Sequence, residues 1–193
     1  MSGALPWPGR LVAVLRGTAD AVLQDAERLH RAGVQALEVT FTVPDAAHII
    51  RALKSRGIGA VGAGTLCTAR QIEQARAAGA DFGVSPGYLP ALVDAARAAG
   101  LPYLPGVATP SEIMAACAQG CGALKLFPAE MVGIGGLRAL LGPFPALSLV
   151  VSGGVTPVSA AEWLSAGAAG VGIGSALGQL DAAELTQLLA VTA

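Results

Sequence analysis

The sequence has little charge and few aromatic residues. Of its 193 residues, 13% are charged and 4% are aromatic, whereas 53% are hydrophobic. With so few large rings, alanine, glycine, valine and leucine must build the interior, and a lightly charged surface favours self-association. The formal net charge of −1 gives no electrostatic reason to expect nucleic acid or an anionic membrane as a partner.

Long apolar runs, targeting signals and paired cysteines are also lacking. The charge-free stretch of residues 163–180 is interrupted by glycine and serine, which argues against a membrane-spanning helix. The first ten residues lack the basic and apolar regions of a signal peptide. We expect a cytoplasmic protein with one domain, residues 1–193, in which Cys67, Cys117 and Cys121 are small core residues that bind no metal.

Lysine is scarce too, and one of the two lysines has an unusual setting. Lys54 lies beside two arginines in a helix-like stretch, where a solvated charge costs little. Lys125 lies inside the apolar run of residues 123–127. Because an ammonium among apolar side chains is disfavoured, its neutral amine would be available as a nucleophile for Schiff-base chemistry. The alternatives are a lysine that reaches solvent at a strand end or one that pairs with a buried acid.

Glycines placed like helix stops recur along the chain at intervals of 20 to 25 residues. Each is followed by a short run rich in apolar residues, as a buried strand would be, and one more run opens the chain, which makes eight runs. The glycines are Gly33, Gly57, Gly79, Gly100, Gly120, Gly142 and Gly167. The predicted strands are residues 11–16, 34–40, 58–62, 80–84, 101–105, 121–127, 147–151 and 168–173.

Alanine-rich segments between these runs begin with residues that favour helix starts. Thr68 with Gln71, and Thr109 with Glu112, fit the capping box, and Pro110 suits the first helical position. Strands that alternate with helices at this spacing form βαβ units around a parallel sheet. Eight units predict a (β/α)₈ barrel, the TIM barrel, near the small end of its size range. An open doubly wound sheet is the alternative, but its glycine-rich dinucleotide motif is missing after the first strand.

A barrel of this kind places catalytic groups at the carboxyl ends of its strands. Side-chain alternation puts Glu38 in the second predicted strand, and Lys125 in the sixth, on faces that can turn toward the barrel axis. A buried acid and a buried amine would then meet at the barrel mouth. The alternative is a structural ion pair, although buried pairs alone are poor stabilisers.

Two glycine loops follow the last two predicted strands. Ser152, Gly153 and Gly154 follow the seventh strand, and Gly174 and Ser175 follow the eighth. Glycine lets backbone N–H groups approach an oxyanion closely, and helix N-termini just behind these loops would favour negative charge. Tight turns also need glycine, but loops after these two strands are the usual phosphate site of a TIM barrel. We therefore predict a phosphate site there.

Six short segments carry a more specific signature. They read EVTFTVP from residue 38, GAGT from 62, VSPG from 84, PGVATPSE from 105, LKLFPAE from 124 and SGGV from 152. In order and spacing they closely resemble the 2-keto-3-deoxy-6-phosphogluconate aldolases, class I aldolases that also act on 4-hydroxy-2-oxoglutarate. The resemblance spans about residues 11–177. It implies a cytosolic, homotrimeric (β/α)₈ lyase of the Entner–Doudoroff pathway that needs no metal or other cofactor.

The resemblance also implies roles for individual residues. Lys125 matches the Schiff-base lysine and Glu38 the acid/base. Thr65 matches a contact to the pyruvyl carboxylate, and Phe127 an aromatic that packs on the pyruvyl unit. One branch of the family has a carboxylate-binding arginine where this chain has Thr42, and other members have an arginine at the end of strand one, which Arg16 matches. The remaining substrate-binding positions would be Pro86, Ser152, Gly153, Gly154, Gly174 and Ser175.

The expected reaction is the cleavage of 2-keto-3-deoxy-6-phosphogluconate to pyruvate and glyceraldehyde 3-phosphate, together with the cleavage of 4-hydroxy-2-oxoglutarate to pyruvate and glyoxylate. Three alternatives stay open. The related 6-phosphogalactonate aldolases lack Pro-Ala-Glu after the lysine and stand second. A phosphate-binding barrel isomerase or decarboxylase would use Glu38 as a base and form no adduct with Lys125. A catalytically silent sugar-phosphate sensor would bind its ligand without turnover.

Overall fold

The computed structural model describes residues 3–193, in which nine parallel strands alternate with helices around a barrel. The predicted TIM-barrel fold is confirmed. The strands are β1 Leu11–Leu15, β2 Ala36–Thr40, β3 Ala60–Gly64, β4 Phe82–Val84, β5 Tyr103–Leu104, β6 Gly106–Val107, β7 Ala123–Leu126, β8 Ser148–Ser152 and β9 Gly170–Ile173. The α-helices are α1 Ala19–Arg31, α2 Ala46–Ser55, α3 Ala69–Ala77, α4 Pro90–Ala99, α5 Pro110–Ala118, α6 Ala129–Leu141, α7 Ala160–Ser165 and α8 Ala182–Thr192.

The ninth strand arises because the fifth predicted strand is divided at Pro105. The hydrogen-bonded order is β5-β4-β3-β2-β1-β9-β8-β7-β6, so β5 and β6 are the two ends of the sheet. Proline has no N–H to donate to a neighbouring strand. Its carbonyl accepts a hydrogen bond from the Lys125 N–H at 3.0 Å. The two short strands therefore occupy one strand position of the barrel and close the sheet beside β7.

Alternation along the strands divides the core into two layers. Residues such as Leu37 and Leu124 pack outward in the large cluster between barrel and helices, whereas Phe82 and Val150 pack inside the barrel. Trp7, which precedes β1, also lies inside, and its ring centroid is 4.5 Å from that of Phe82. The barrel interior is therefore filled from the amino-terminal side by a residue outside the repeating pattern. The sequence pattern gave no indication of this.

The predicted helix signals largely hold. Both capping boxes form, Thr68 with Gln71 and Thr109 with Glu112. Positive φ angles occur at the helix-stop glycines except Gly142, whose φ of −52° is helical. Most predicted strands begin about two residues before the observed ones, because the residues after each glycine still belong to the connecting loop.

Two smaller predictions are wrong. Lys54 is not simply solvated, since its Nζ atom donates to Asp81 Oδ2 at 2.7 Å. The prediction that the cysteines are core residues fails for Cys67, which is exposed in the loop after β3, whereas Cys117 and Cys121 are half-buried and pack against the core around the turn that ends α5. None of the helices within residues 3–193 combines the length and apolar character that a membrane span requires.

Candidate active site

Lys125 and Glu38 face one another inside the carboxyl-terminal half of the barrel. Their neighbours in sequence, Leu124 and Leu37, pack outward, so both polar side chains point inward as predicted. The Lys125 Nζ atom lies 3.9 Å from Glu38 Oε1, and the two residues are only 4% and 2% exposed. Within residues 3–193, Glu38 Oε1 has no hydrogen-bond partner. The strands therefore hold a buried acid and a buried amine close together without a direct hydrogen bond between them.

The surroundings of Lys125 are apolar on most sides. In the sheet register Lys125 lies between Gly106 on β6 and Val150 on β8, and Val150 belongs to the barrel interior. The Nζ atom is 4.9 Å from the centroid of the Phe127 ring. The Lys125 amine therefore lies among few polar groups, between an aromatic ring and the carboxylate of Glu38. The ring also offers a flat apolar surface for a ligand bonded to that amine.

A pair of threonines joins the ends of β1 and β2. The Thr40 hydroxyl donates to the Leu15 carbonyl at 3.2 Å and lies 2.9 Å from the Thr42 hydroxyl. Because a hydroxyl has one proton, Thr42 must donate to Thr40 in this arrangement. Thr42 is then left without a donor for a substrate carboxylate. The residue that follows Leu15 is Arg16, so the same chain of hydrogen bonds fixes the peptide that carries this arginine.

Thr65 has a backbone conformation that is unusual for its residue type. Its φ angle is +58°, a left-handed value that a β-branched side chain rarely adopts. The flanking peptides hold it there, since the Gly64 carbonyl accepts from the Phe41 N–H at 2.8 Å and the Leu66 N–H donates to the Val84 carbonyl at 3.1 Å. The ends of β2 and β4 thus fix Thr65 between them. Strain of this kind is concentrated at functional sites.

The loop after β4 brings Pro86 to the same end of the barrel. A Cβ atom on Gly106 would overlap the Pro86 carbonyl, so the missing side chain on β6 allows the close approach. The Ser85 hydroxyl donates to the Gly87 carbonyl at 2.7 Å and stabilises the turn. Nearby, burial raises the pKa of the Tyr103 hydroxyl to about 12, which keeps this group protonated.

The next loop at this end is held by a carboxylate. Glu112 accepts hydrogen bonds from the backbone N–H groups of Ala108 and Thr109, both at 2.9 Å. These bonds, with that from Ala108 the largest influence, lower the pKa of Glu112. The loop between β6 and α5 therefore stays fixed beside the strand that carries Lys125 while Glu112 is ionised.

The predicted phosphate loops meet in one cavity of about 230 Å³. Gly153 and Gly154 have φ angles of +86° and +83°, a pair of left-handed residues that only glycine adopts readily. Ser152, which is 7% exposed, precedes them at the end of β8. The predicted site residues that line the cavity are Arg16, Ser152, Gly153, Gly154, Gly174 and Ser175.

The helices behind these loops differ from the prediction. After β9 the chain forms a 3₁₀ helix, Ser175–Gln179, and after β8 helix α7 begins only at Ala160. A turn precedes α7, in which the Thr156 hydroxyl accepts from the Ser159 N–H at 3.2 Å. An α-helix N-terminus therefore does not stand directly behind either loop. The groups in the cavity that are suited to an anion are the glycine backbone, two serine side chains and Arg16.

The predicted site residues thus form two groups. The first group lies at the ends of the strands around the barrel mouth and contains Lys125, Glu38, Thr65, Pro86 and Phe127. The second group consists of the cavity residues around β1, β8 and β9. Arg16 belongs to the second group, although it was predicted to bind the carboxylate of the pyruvyl unit. Its strand, β1, pairs with both β2 and β9, so the arginine stands between the two groups.

One close contact in the site was not predicted from the sequence. A Cβ atom on Gly64 would overlap Glu38 Oε1. The available signal was a glycine just beyond the end of the predicted strand of residues 58–62, since glycine at such a place often allows a close approach by another group. Among residues 3–193 no three His, Cys, Asp or Glu side chains are grouped as a metal site would require.

Known proteins share this sequence and architecture. The family model for KDPG and KHG aldolases matches residues 8–193. A 2-dehydro-3-deoxy-phosphogluconate aldolase of Pseudoalteromonas atlantica is 37% identical over 72% of this chain, a match that spans 66% of the relative, slightly less than two thirds. A probable 2-dehydro-3-deoxy-6-phosphogalactonate aldolase of Rhizobium meliloti is 35% identical over 89% of this chain and 83% of its own length.

A solved structure adds a chemical detail. The KDPG aldolase of Legionella pneumophila, with pyruvate captured as a covalent carbinolamine intermediate, superposes with a TM-score of 0.83. The two chains are 32% identical, and the alignment covers 100% of this chain and 98% of the Legionella chain.

Proposed function

The chain belongs to the KDPG and KHG aldolase family, and from this premise we propose that it is a class I aldolase that cleaves 2-keto-3-deoxy-6-phosphogluconate to pyruvate and glyceraldehyde 3-phosphate. The observation that carries the proposal is the Lys125 amine, buried in an apolar setting 3.9 Å from the buried Glu38 carboxylate. An amine in such a place is suited to attack a ketone, and the acid beside it is suited to move protons.

The reaction begins at the C2 ketone of the substrate. The neutral Lys125 amine adds to this carbon and forms a carbinolamine, which loses water to give a protonated imine. Glu38, directly or through a water molecule, moves the protons that this dehydration requires. The low exposure of both residues limits competing reactions with solvent.

The imine then makes the carbon–carbon bond breakable. As the C4 hydroxyl loses its proton to Glu38, the electrons of the C3–C4 bond flow into the imine, which releases the aldehyde and leaves an enamine. Protonation at C3 restores the imine, and hydrolysis frees pyruvate and Lys125. Because the imine is itself the electron sink, the mechanism requires neither a metal nor another cofactor.

The remaining site residues bind the two ends of the substrate. Thr65 and Arg16 hold the carboxylate of the pyruvyl unit, and Phe127 and Pro86 enclose its apolar part. Thr42 donates its hydroxyl proton to Thr40 and has none left for this carboxylate, so Arg16 supplies the donor instead. The phosphate end lies in the cavity of about 230 Å³, where Ser152, Gly153, Gly154, Gly174 and Ser175 supply hydrogen-bond donors.

The proposal extends to assembly and location. Large apolar side chains are exposed on the surface, for example Met131 at 82% and Met114 at 62%, which supports burial of part of the surface in a homotrimer. The three cysteines are free thiols, which supports a reducing, cytoplasmic location. The proposed role in the Entner–Doudoroff pathway follows from the proposed substrate, 2-keto-3-deoxy-6-phosphogluconate.

A second candidate substrate is 2-keto-3-deoxy-6-phosphogalactonate, which differs from the first at C4. The Rhizobium relative named for that substrate is 35% identical over 179 residues, so this alternative rests on a similarity of comparable strength. Cleavage of either compound would use the same lysine, the same acid/base and the same phosphate loops.

Product analysis tests the proposal. The purified protein is incubated with the phosphogluconate-derived and phosphogalactonate-derived keto acids and with 4-hydroxy-2-oxoglutarate, and the released pyruvate and aldehyde are measured. We expect equal amounts of pyruvate and glyceraldehyde 3-phosphate from the first compound, with the highest kcat/KM. An isomerase or decarboxylase would release no such pair, and a silent sensor would bind the compounds without forming products.

A further inference from the structure

Gly64 lies against the carboxylate of Glu38. In the pairing of β2 with β3, Glu38 stands beside Gly62 and Thr40 beside Gly64. A Cβ atom placed on Gly64 would overlap Glu38 Oε1 and would be 2.6 Å from Glu38 Cγ. Real Cβ atoms essentially never approach other atoms so closely. The space that holds the carboxylate therefore exists only because residue 64 has no side chain.

The backbone at this position does not itself require glycine. Gly64 is the last residue of β3 and is not one of the glycines with a positive φ angle. The backbone also cannot easily move away, because the Gly64 carbonyl accepts from the Phe41 N–H at 2.8 Å. An alanine here would therefore keep the strand conformation and displace Glu38 instead.

Packing is the main constraint on the Glu38 side chain. Its Oε1 atom has no hydrogen-bond partner within residues 3–193, and its separation from Lys125 Nζ, 3.9 Å, is longer than a hydrogen bond. From this geometry we infer that Gly64 is a positioning residue, whose missing side chain keeps the Glu38 carboxylate within reach of Lys125 and of the substrate protons. The inference rests on the proposed aldolase function.

The same strand provides a matched control. Gly62 lies two residues earlier on the same face of β3, and a Cβ atom there would overlap the ring of Phe82. Phe82 is part of the apolar barrel interior beneath the site. Gly62→Ala should therefore disturb packing in the same strand through the Phe82 ring, which is the group that its Cβ atom would overlap.

The first test is the kinetics of Gly64→Ala. A displacement of about 1 Å at a catalytic group costs roughly 10²-fold in rate, so kcat should fall by about this factor while KM changes little. The same substitution in a Glu38→Ala background should cause no further loss, because the carboxylate is gone and its space is free. Gly62→Ala should cause the same fractional loss in both backgrounds. Equal losses from Gly64→Ala in both backgrounds would overturn the inference.

Thermal unfolding provides a second test that needs no activity. Gly64→Ala should lower Tm when Glu38 is present, but the Glu38→Ala/Gly64→Ala protein should unfold no earlier than Glu38→Ala alone. This pair remains informative if Gly64→Ala alone does not fold. Additive losses of Tm would show that residue 64 acts on the fold independently of Glu38. If the wild-type protein cleaves no keto acid, the proposed function fails, while the Tm comparison still reports on the contact.

Discussion

Lys54 donates to both carboxylate oxygens of Asp81, at 2.9 and 2.7 Å, whereas Lys125 stands 3.9 Å from the nearest oxygen of Glu38. The two lysines of the chain therefore have different surroundings. Lys54 is a partly exposed ammonium engaged in a salt bridge, and Asp81 also accepts from the Val61 N–H at 2.7 Å. Lys125 is buried, and within residues 3–193 its amine has no carboxylate within hydrogen-bond distance, as the proposed nucleophile requires.

Glu38→Gln should slow turnover without preventing substrate binding. Glutamine keeps the size of the side chain but cannot transfer protons, and the loss of acid–base catalysis typically costs about 10²- to 10⁴-fold in rate. We expect kcat to fall in this range. Exchange of the pyruvate methyl protons with deuterated solvent, followed by NMR, should slow in parallel. Near-normal turnover and exchange in this variant would remove Glu38 from the mechanism.

Ser152→Ala and Ser175→Ala should discriminate between substrates. A lost hydrogen bond to a charged group costs roughly 1.5–3 kcal/mol, so kcat/KM for the phosphorylated substrate should fall by about 10- to 150-fold. Cleavage of 4-hydroxy-2-oxoglutarate should suffer less, because this shorter acid reaches the loops poorly. Ser55→Ala, which removes an exposed hydroxyl bonded to the Ala52 carbonyl, is the control. Equal losses for the two substrates would show that the serines support the fold and do not bind the phosphate.

Arg16→Met tests which end of the substrate the arginine holds. If Arg16 binds the pyruvyl carboxylate, both substrates carry its target and both should lose kcat/KM by a similar factor, about 10- to 150-fold for a charged hydrogen bond. The comparison uses the same two steady-state assays. A loss confined to the phosphorylated substrate would show that Arg16 binds the phosphate instead, in the cavity that this arginine lines.

Thr65→Gly should make the protein more stable and less active. A left-handed conformation costs an L-residue roughly 1–2 kcal/mol, and glycine removes that cost, less the greater entropy that it loses on folding. We expect a Tm higher by about 2–4 °C, as about 1 kcal/mol gives in a protein of this size, together with weaker pyruvate binding. Thr65→Ser keeps the hydroxyl and should keep the binding. A lower Tm for the glycine variant would contradict the strain at residue 65.

The repeating parts of the fold could be predicted because each obeys a local rule. Helix-stop glycines at regular intervals marked the strands, and alternation placed Glu38 and Lys125 on their inner faces. The features that were missed depend on contacts between distant segments. Trp7 fills the barrel from outside the repeat, and its place depends on space beside Phe82 that only the closed sheet defines.

The site shows the same division. The glycine and serine loops could be assigned because their order along the chain fixes their place around the barrel. The distance between Lys125 and Glu38, the overlap at Gly64 and the proton arrangement of Thr40 with Thr42 could not be predicted, since each depends on how neighbouring strands are staggered. The division of the fifth predicted strand at Pro105 also depends on strand pairing, because the missing N–H removes a hydrogen bond only where β7 lies alongside.

Covalent trapping tests whether Lys125 forms a Schiff base with pyruvate. The protein is incubated with pyruvate and sodium borohydride, which reduces an imine to a stable secondary amine, and the modified peptide is located by mass spectrometry. We expect one carboxyethyl group per chain, on Lys125, and none in the Lys125→Met protein or when pyruvate is omitted. Labelling at Lys54, or an active enzyme that takes up no label, would contradict this expectation.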